Sequence, residues 1–224
     1  MTQSIHFIGD SHTIPLYNAF LCFIKNPIEN ENTVMQPYPN EEYRVAYDKN
    51  NDVEYHFHSK PGRLAYSIDY NNLNFSKQIK SGDTVIAYLG ECDIRIYLPK
   101  YKNTQEVVEA YVTKTKDHFK DNPIFFLTPV PPLDQGYGVS KDDADTMERI
   151  NYWSEPEDRL NEYKIFMDHL SKMCNDLSLP APIDISFGQD YLSHIHRDSD
   201  MVHARTEHGK KMAKEIMKRS DLYN

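Results

Sequence analysis

The chain has 224 residues, 39% hydrophobic and 26% charged, with Tyr frequent at 16 and Gly scarce at 8. That suits one compact globular domain with a sizeable core and excludes a disordered or repetitive chain. The formal net charge of −9 repels phosphate backbones and anionic lipid, so neither nucleic acid nor a membrane surface is an expected partner.

Three widely spaced cysteines, Cys22, Cys92 and Cys174, form no CxxC pair, which argues against a disulfide framework and a structural zinc site. The first residues, MTQSIHFIGD, show no basic leader ahead of a long apolar run, and no apolar stretch reaches membrane-spanning length. A cytoplasmic protein is therefore expected. Residues 5–8 read as a short strand stopped by a turn at Gly9, and 14–24 as the helix that follows. Residues 25–52, with three prolines and many Asn and Glu, read as a long surface excursion. Residues 53–58 alternate as in a strand, and 84–89 form the continuous β-rich run of a parallel strand buried on both faces. A helix over 104–119, a strand over 123–128, a polar insertion or lid around 133–156 and an amphipathic helix over 157–177 come next. A short strand at 183–185 and a helix over 206–218 close the chain; its basic residues from Lys210 to Arg219 read as a solvated helix face. Strands alternating with helices imply a single α/β domain over 1–224, with functional residues in loops at the carboxyl ends of the strands.

Two segments carry residues suited to nucleophilic catalysis. Gly9-Asp10-Ser11-His12 places a serine at the head of a helix, where a backbone N–H and the helix dipole favour negative charge; the same residues also suit an ordinary helix cap. Asp200-Met201-Val202-His203 offers a base with a carboxylate three residues away to hold its ring, which a serine hydroxyl needs before it can attack. Gly90-Glu91-Cys92-Asp93-Ile94-Arg95 packs charge at the exit of the most strand-like run, either as a site or as an Arg95 salt bridge to Asp93 or Glu91. Pro61-Gly62-Arg63 signals a turn whose glycine brings a backbone N–H close to a ligand. His56 and His58, and likewise His194 and His196, share a spacing of two without a third ligand, so no metal is expected. His12 is a second-choice base, and His208 reads as a surface residue of the last helix.

Gly-Asp-Ser near the start, a lone Gly, Gly-x-x-Asp after a strand and Asp-x-x-His near the end occur here in that order, from residue 9 to residue 203. The set resembles the four blocks of the SGNH/GDSL hydrolase superfamily. The resemblance implies a flavodoxin-like three-layer α/β/α sandwich around a central parallel sheet, and hydrolysis of esters without metal or cofactor. It implies Ser11 as nucleophile, His203 as base and Asp200 as its orienter. The N–H groups of Ser11 and Gly62 would line the oxyanion hole, and Asp10 would brace the nucleophile turn. Cys92 stands where the superfamily usually has Asn, and a thiol is a weak donor. Arg95 is the candidate to compensate, and Asp93 is a further candidate for substrate binding.

The Gly-Asp-Ser-His and Gly-Glu-x-Asp-x-Arg variants further resemble a branch linked to surface glycans, which points to a small acyl ester on a carbohydrate as substrate. Esterase and sugar O-acyltransferase share this chemistry. A binding module that keeps the fold but has lost useful catalysis is the alternative that Cys92 favours. A nucleotide binder would need a glycine-rich phosphate loop that the sequence lacks.

Overall fold

The computed structural model describes residues 2–24, 28–29, 42–72, 78–101, 103–132, 155–191 and 206–223. In chain order the elements are β1 (Gln3–Gly9), α1 (Thr13–Leu21), β2 (Ile28–Glu29), β3 (Glu42–Asp48), β4 (Val53–Ser59), β5 (Thr84–Tyr88), α2 (Leu98–Tyr101), α3 (Thr104–His118), β6 (Ile124–Phe126), α4 (Pro156–Asp176) and α5 (Thr206–Met217). A π turn over Asp93–Tyr97 leads into α2.

The strands form one sheet in the order β2-β3-β4-β1-β5-β6. The β4/β1, β1/β5 and β5/β6 ladders are parallel, and Leu127 adds a parallel bridge to Ile183. Every residue of β5 is buried, as a β-branched run covered on both faces requires. On α3, the Asn103 side chain caps the Gln105 and Glu106 N–H groups at 3.0 and 3.3 Å, and Val107, Val108, Tyr111 and Val112 form its buried stripe. Pro156 opens α4 with Glu157 and Asp158 in the first turn, where fixed φ and negative charge suit a helix start.

The alternation of β1 feeds two cores. Ile5 and Phe7 pack with Leu16 and Phe20 of α1 and Met212 and Ile216 of α5; Ile8 packs in the other core with Val108 and Val112 of α3 and Phe166 and Leu170 of α4. Helices thus cover both faces, giving a three-layer α/β/α arrangement. Among the described residues no helix is long and apolar enough to cross a membrane.

The surface excursion expected over 25–52 is corrected in part. Residues 42–48 form β3, antiparallel to β4 from Glu42↔Ser59 to Asp48↔Val53, and β2 pairs antiparallel with β3, so the sheet is mixed. Asp48 accepts from Asn50 N at 3.0 Å and Asn51 Nδ2 at 2.7 Å and so shapes the hairpin turn. The insertion expected around 133–156 lies outside the described residues up to 154.

Gly90, where β5 leaves the sheet, sets the path of the loop that follows. Its φ is +119°, and a Cβ there would stand 2.6 Å from Phe166 Cζ and 3.0 Å from Pro129 Cγ. Gly90→Ala is expected to destabilise the fold by about 2 kcal/mol or more, because backbone strain adds to a clash with packed side chains. Gly82→Ala, also at positive φ but in open space, should lose about 1 kcal/mol. Urea unfolding of both variants checks this; equal losses would remove the steric part of the account.

Candidate active site

Three loops leave the carboxyl ends of β1, β4 and β5 and are bonded to one another. In the first, the Asp10 carbonyl accepts from Thr13 N at 3.1 Å and the Ser11 carbonyl from Ile14 N at 3.3 Å, so α1 begins directly after the turn. Asp10, 1% exposed, accepts from His12 N through Oδ1 at 2.9 Å, and the same oxygen lies 2.9 Å from His12 Nδ1. Ser11 is half-buried, and no described residue is hydrogen-bonded to its hydroxyl. The helix-cap alternative is met by Asp10, whose Oδ1 takes the His12 N–H at the head of α1, while His12 at the N-cap position makes no side-chain cap bond.

The second loop is the turn Lys60-Pro61-Gly62-Arg63, closed by Arg63 N donating to Lys60 O at 3.1 Å. Proline second and a glycine at φ +70° third are what a type II turn demands. This turn is tied to the nucleophile loop three times. Lys60 N donates to Gly9 O at 3.2 Å, Ser59 Oγ to Asp10 O at 2.9 Å, and the buried Arg63 guanidinium to Gly9 O at 2.9 Å. Arg63 also reaches His58 O at 3.2 Å, so one cation joins the ends of β1 and β4.

The third loop carries Glu91, Cys92, Asp93 and Arg95. Asp93 is fully buried, and its two carboxylate oxygens accept from Ala65 N at 2.8 Å and Tyr66 N at 3.1 Å. Burial, with the Asp10 charge adding to it, pushes its carboxyl up to about 6 against the pull of those two N–H groups. Cys92, 2% exposed, directs its thiol onto Asp10 Oδ2 at 3.6 Å. Burial and the neighbouring carboxylates of Asp10 and Glu91 hold that thiol well above its ordinary range, hence neutral. Arg95 donates from Nε to Glu91 at 3.0 and 3.3 Å and brings a terminal nitrogen to 3.7 Å from Cys92 Sγ.

Six of the eight residues singled out in the sequence are therefore gathered at one end of the sheet: Asp10, Ser11, Gly62, Cys92, Asp93 and Arg95. Asp200 and His203 lie outside the described residues. After them α5 begins, and its Gly209 backs onto the Pro15 carbonyl of α1, where a Cβ would stand at 3.2 Å. Two expectations change. Asp93, read as a substrate contact, has no exposed surface and spends both oxygens on backbone amides. His208, read as a surface residue, is 3% exposed and meets the Phe187 ring edge-on at 5.5 Å. Ser59 is missed as part of the site, and Arg63 stands in the Pro61-Gly62-Arg63 motif without a role of its own, although a buried Arg needs several acceptors. Glu91 is the partner of Arg95 from the two the sequence offers.

Asp10, Glu91 and Cys92 bring ligand atoms within 4.8 Å of one another, a spacing that could hold a metal. Arg95 already supplies a cation there, bonded to Glu91 and beside Cys92. Three further imidazoles meet below this end of the sheet. His6 of β1 stacks on His56 and His58 of β4 at centroid distances of 4.3 and 5.4 Å, with His6 Nδ1 3.1 Å from His58 Nε2. Nitrogens of these rings are spent on neighbouring groups, His6 Nδ1 on His58, His6 Nε2 on Asp83 at 3.2 Å and His56 Nδ1 on the Tyr43 hydroxyl at 2.6 Å.

No protein-family model matches the sequence, and neither does any curated protein. Solved structures do match. The first is a Bacteroides fragilis protein assigned as an acylhydrolase, with TM-score 0.62, 13% identity, and coverage of 99% of this chain and 88% of that one. A member of the lipolytic G-D-S-L family from Veillonella parvula has TM-score 0.57, 13% identity, and 97% coverage of each chain. A family 3 carbohydrate esterase from Talaromyces cellulolyticus has TM-score 0.51, 15% identity, and 99% and 98% coverage. The chain has the SGNH/GDSL hydrolase fold. Within that fold the three bonded loops occupy the carboxyl end of the parallel strands, where open α/β sheets place their ligands.

Proposed function

We propose that this SGNH-fold chain hydrolyses an acyl ester through an acyl-serine intermediate. Ser11 attacks the carbonyl, His203 takes its proton and returns it to the leaving alcohol, and Asp200 holds the imidazole in the required tautomer. The N–H groups of Ser11 and Gly62 receive the oxyanion. The observation that carries this reading is the stitching of the Ser11 turn to the Gly62 turn by Ser59, Lys60 and Arg63, since a preorganised pair of loops needs little rearrangement as charge develops. We favour a carbohydrate ester as substrate. One structural neighbour is a carbohydrate esterase, and Tyr66 and Tyr97, at 41% and 37% exposure, rise from the loops after β4 and β5. Hydrolysis of p-nitrophenyl acetate with a burst of about one nitrophenol per folded chain is the expected result, the mark of a covalent intermediate. Hydrolysis no faster than in buffer would overturn the reading.

That null result would favour the second reading, a binding module on the same fold, for which the inward thiol of Cys92 speaks. A site lacking one oxyanion donor loses about 3 kcal/mol of transition-state stabilisation.

Arg95 separates two roles. Its bond to Glu91, 4% exposed, makes it the clamp of a buried ion pair. Arg95→Met is then expected to destabilise the fold by about 3 kcal/mol by stranding that carboxylate, and adding Glu91→Gln should restore most of the loss. A fall of about 10²–10³ in kcat per titrated site at unchanged melting temperature would instead make Arg95 the missing oxyanion donor.

A further inference from the structure

Asp93 carries its carboxyl in a place that disfavours a charge. The residue is fully buried on the π turn after β5, and facing it are the Asp10 carboxylate from the turn after β1, the buried Tyr111 phenol of α3 and the neutral Cys92 thiol beside it. Its two oxygens are spent on consecutive amides, Ala65 N and Tyr66 N, and on nothing in solvent. Those amides end the segment whose other end, at Ser59 and Lys60, is pinned to Gly9 and Asp10. Gly62 lies between the two anchor points beside Arg63, and its outer side is open, with no atom within 4 Å of where its Cβ would be.

We propose that Asp93 is a positioning residue: its paired bonds to Ala65 and Tyr66 keep the Gly62 turn in register with Ser11, and uptake of a proton by its carboxyl loosens that hold. The consequence for catalysis rests on the acyl-serine reading; the latch itself does not. An ionised carboxylate offers two acceptors to two N–H donors, whereas a protonated one turns an O–H toward one of them. The carboxyl is pushed up to about 6, so the hold is complete above that pH and weakens below it. The sign also says what the latch does not do. A carboxyl raised in the fold favours the folded state more as pH falls through that value, so the ionised latch serves position at the expense of stability.

Nuclear magnetic resonance of the whole chain tests this. The Ala65 and Tyr66 amide protons are expected to move together between about pH 8 and about pH 5 with a midpoint near 6, losing exchange protection on the acid side. Asp93→Asn should exchange those amides about 10-fold faster at about pH 8, melt no lower than wild type, and lose about 10-fold or more in kcat with KM little changed. Amides that neither titrate nor lose protection in Asp93→Asn would overturn the latch. A loosened loop with unchanged kcat would overturn its positioning role. A wild type without esterase activity would remove the hydrolysis reading and leave the amide measurements to decide the latch alone.

Discussion

Ser11→Ala is expected to lower kcat for p-nitrophenyl acetate by about 10⁶-fold, the loss typical when a triad nucleophile is removed. The magnitude follows from the hydroxyl's position. Ser11 sits between the last residue of β1 and the first turn of α1, at a helix N-terminus where negative charge is favoured. No described residue is bonded to the Oγ, so its removal strands no polar partner among them. The melting temperature should therefore move by only a few degrees. Kinetics and calorimetry on the same preparation check both halves. Retained turnover would take Ser11 out of the mechanism, and a large drop in melting temperature would make it structural.

Acid is expected to unfold this protein far more readily than its carboxylates would suggest. Burial, with repulsion from His56 adding to it, pushes the His6 imidazole down to about 3. Burial and the nearby His6, His56 and Arg63 put His58 well below its ordinary range, and burial lowers His56 as well. Geometry says why the charge is excluded. His6 Nε2 lies 3.2 Å from Asp83 and must donate to it, so His6 Nδ1 accepts from His58 Nε2, and a proton added at Nδ1 would break the chain. Tyr43 closes the other side through its hydroxyl, 2.6 Å from His56 Nδ1. Each folded-state value lies below the unfolded 6.5, so the unfolded chain binds more protons and stability falls as pH falls from about 6.5 toward 3. Asp93 works in the opposite direction over part of that range. Two strongly depressed histidines against one raised carboxyl leave a net loss of about 1.4 kcal/mol per pH unit below about pH 6. Urea unfolding at a series of pH values measures the slope, and His58→Gln should flatten it. A stability independent of pH between about 6.5 and 4.5 would refute the buried neutral stack.

Much of the framework was legible because single segments announce themselves. The run at 84–89 reads as a strand buried on both faces, as β5 is, and the helices read over 104–119 and 157–177 appear as α3 and α4 within a residue of those bounds. β3 was not legible. Glu42, Arg44 and Asp48 make its sequence polar, and its reason to be extended is the partner strand β4. The same limit governs the site. Order along the chain placed Ser11, Gly62 and the Cys92 loop at strand ends, but the inward turn of Cys92 and the amide grip of Asp93 depend on which side chains the fold sets opposite. His56 and His58 stood out by spacing, whereas His6 joins them only through the β1/β4 register, which pairs His6 with His56. His208 was misread because a polar ring on a basic helix looks solvated until Phe187 covers it.

The most direct test of an acyl-serine mechanism is covalent labelling. The wild-type chain is treated with a fluorophosphonate, and intact mass and peptide mapping locate the adduct. The account predicts one adduct per chain, on Ser11, and its loss in His203→Ala, because the hydroxyl attacks only after a base removes its proton. A chain that stays unlabelled, or one labelled at another residue, would contradict the account.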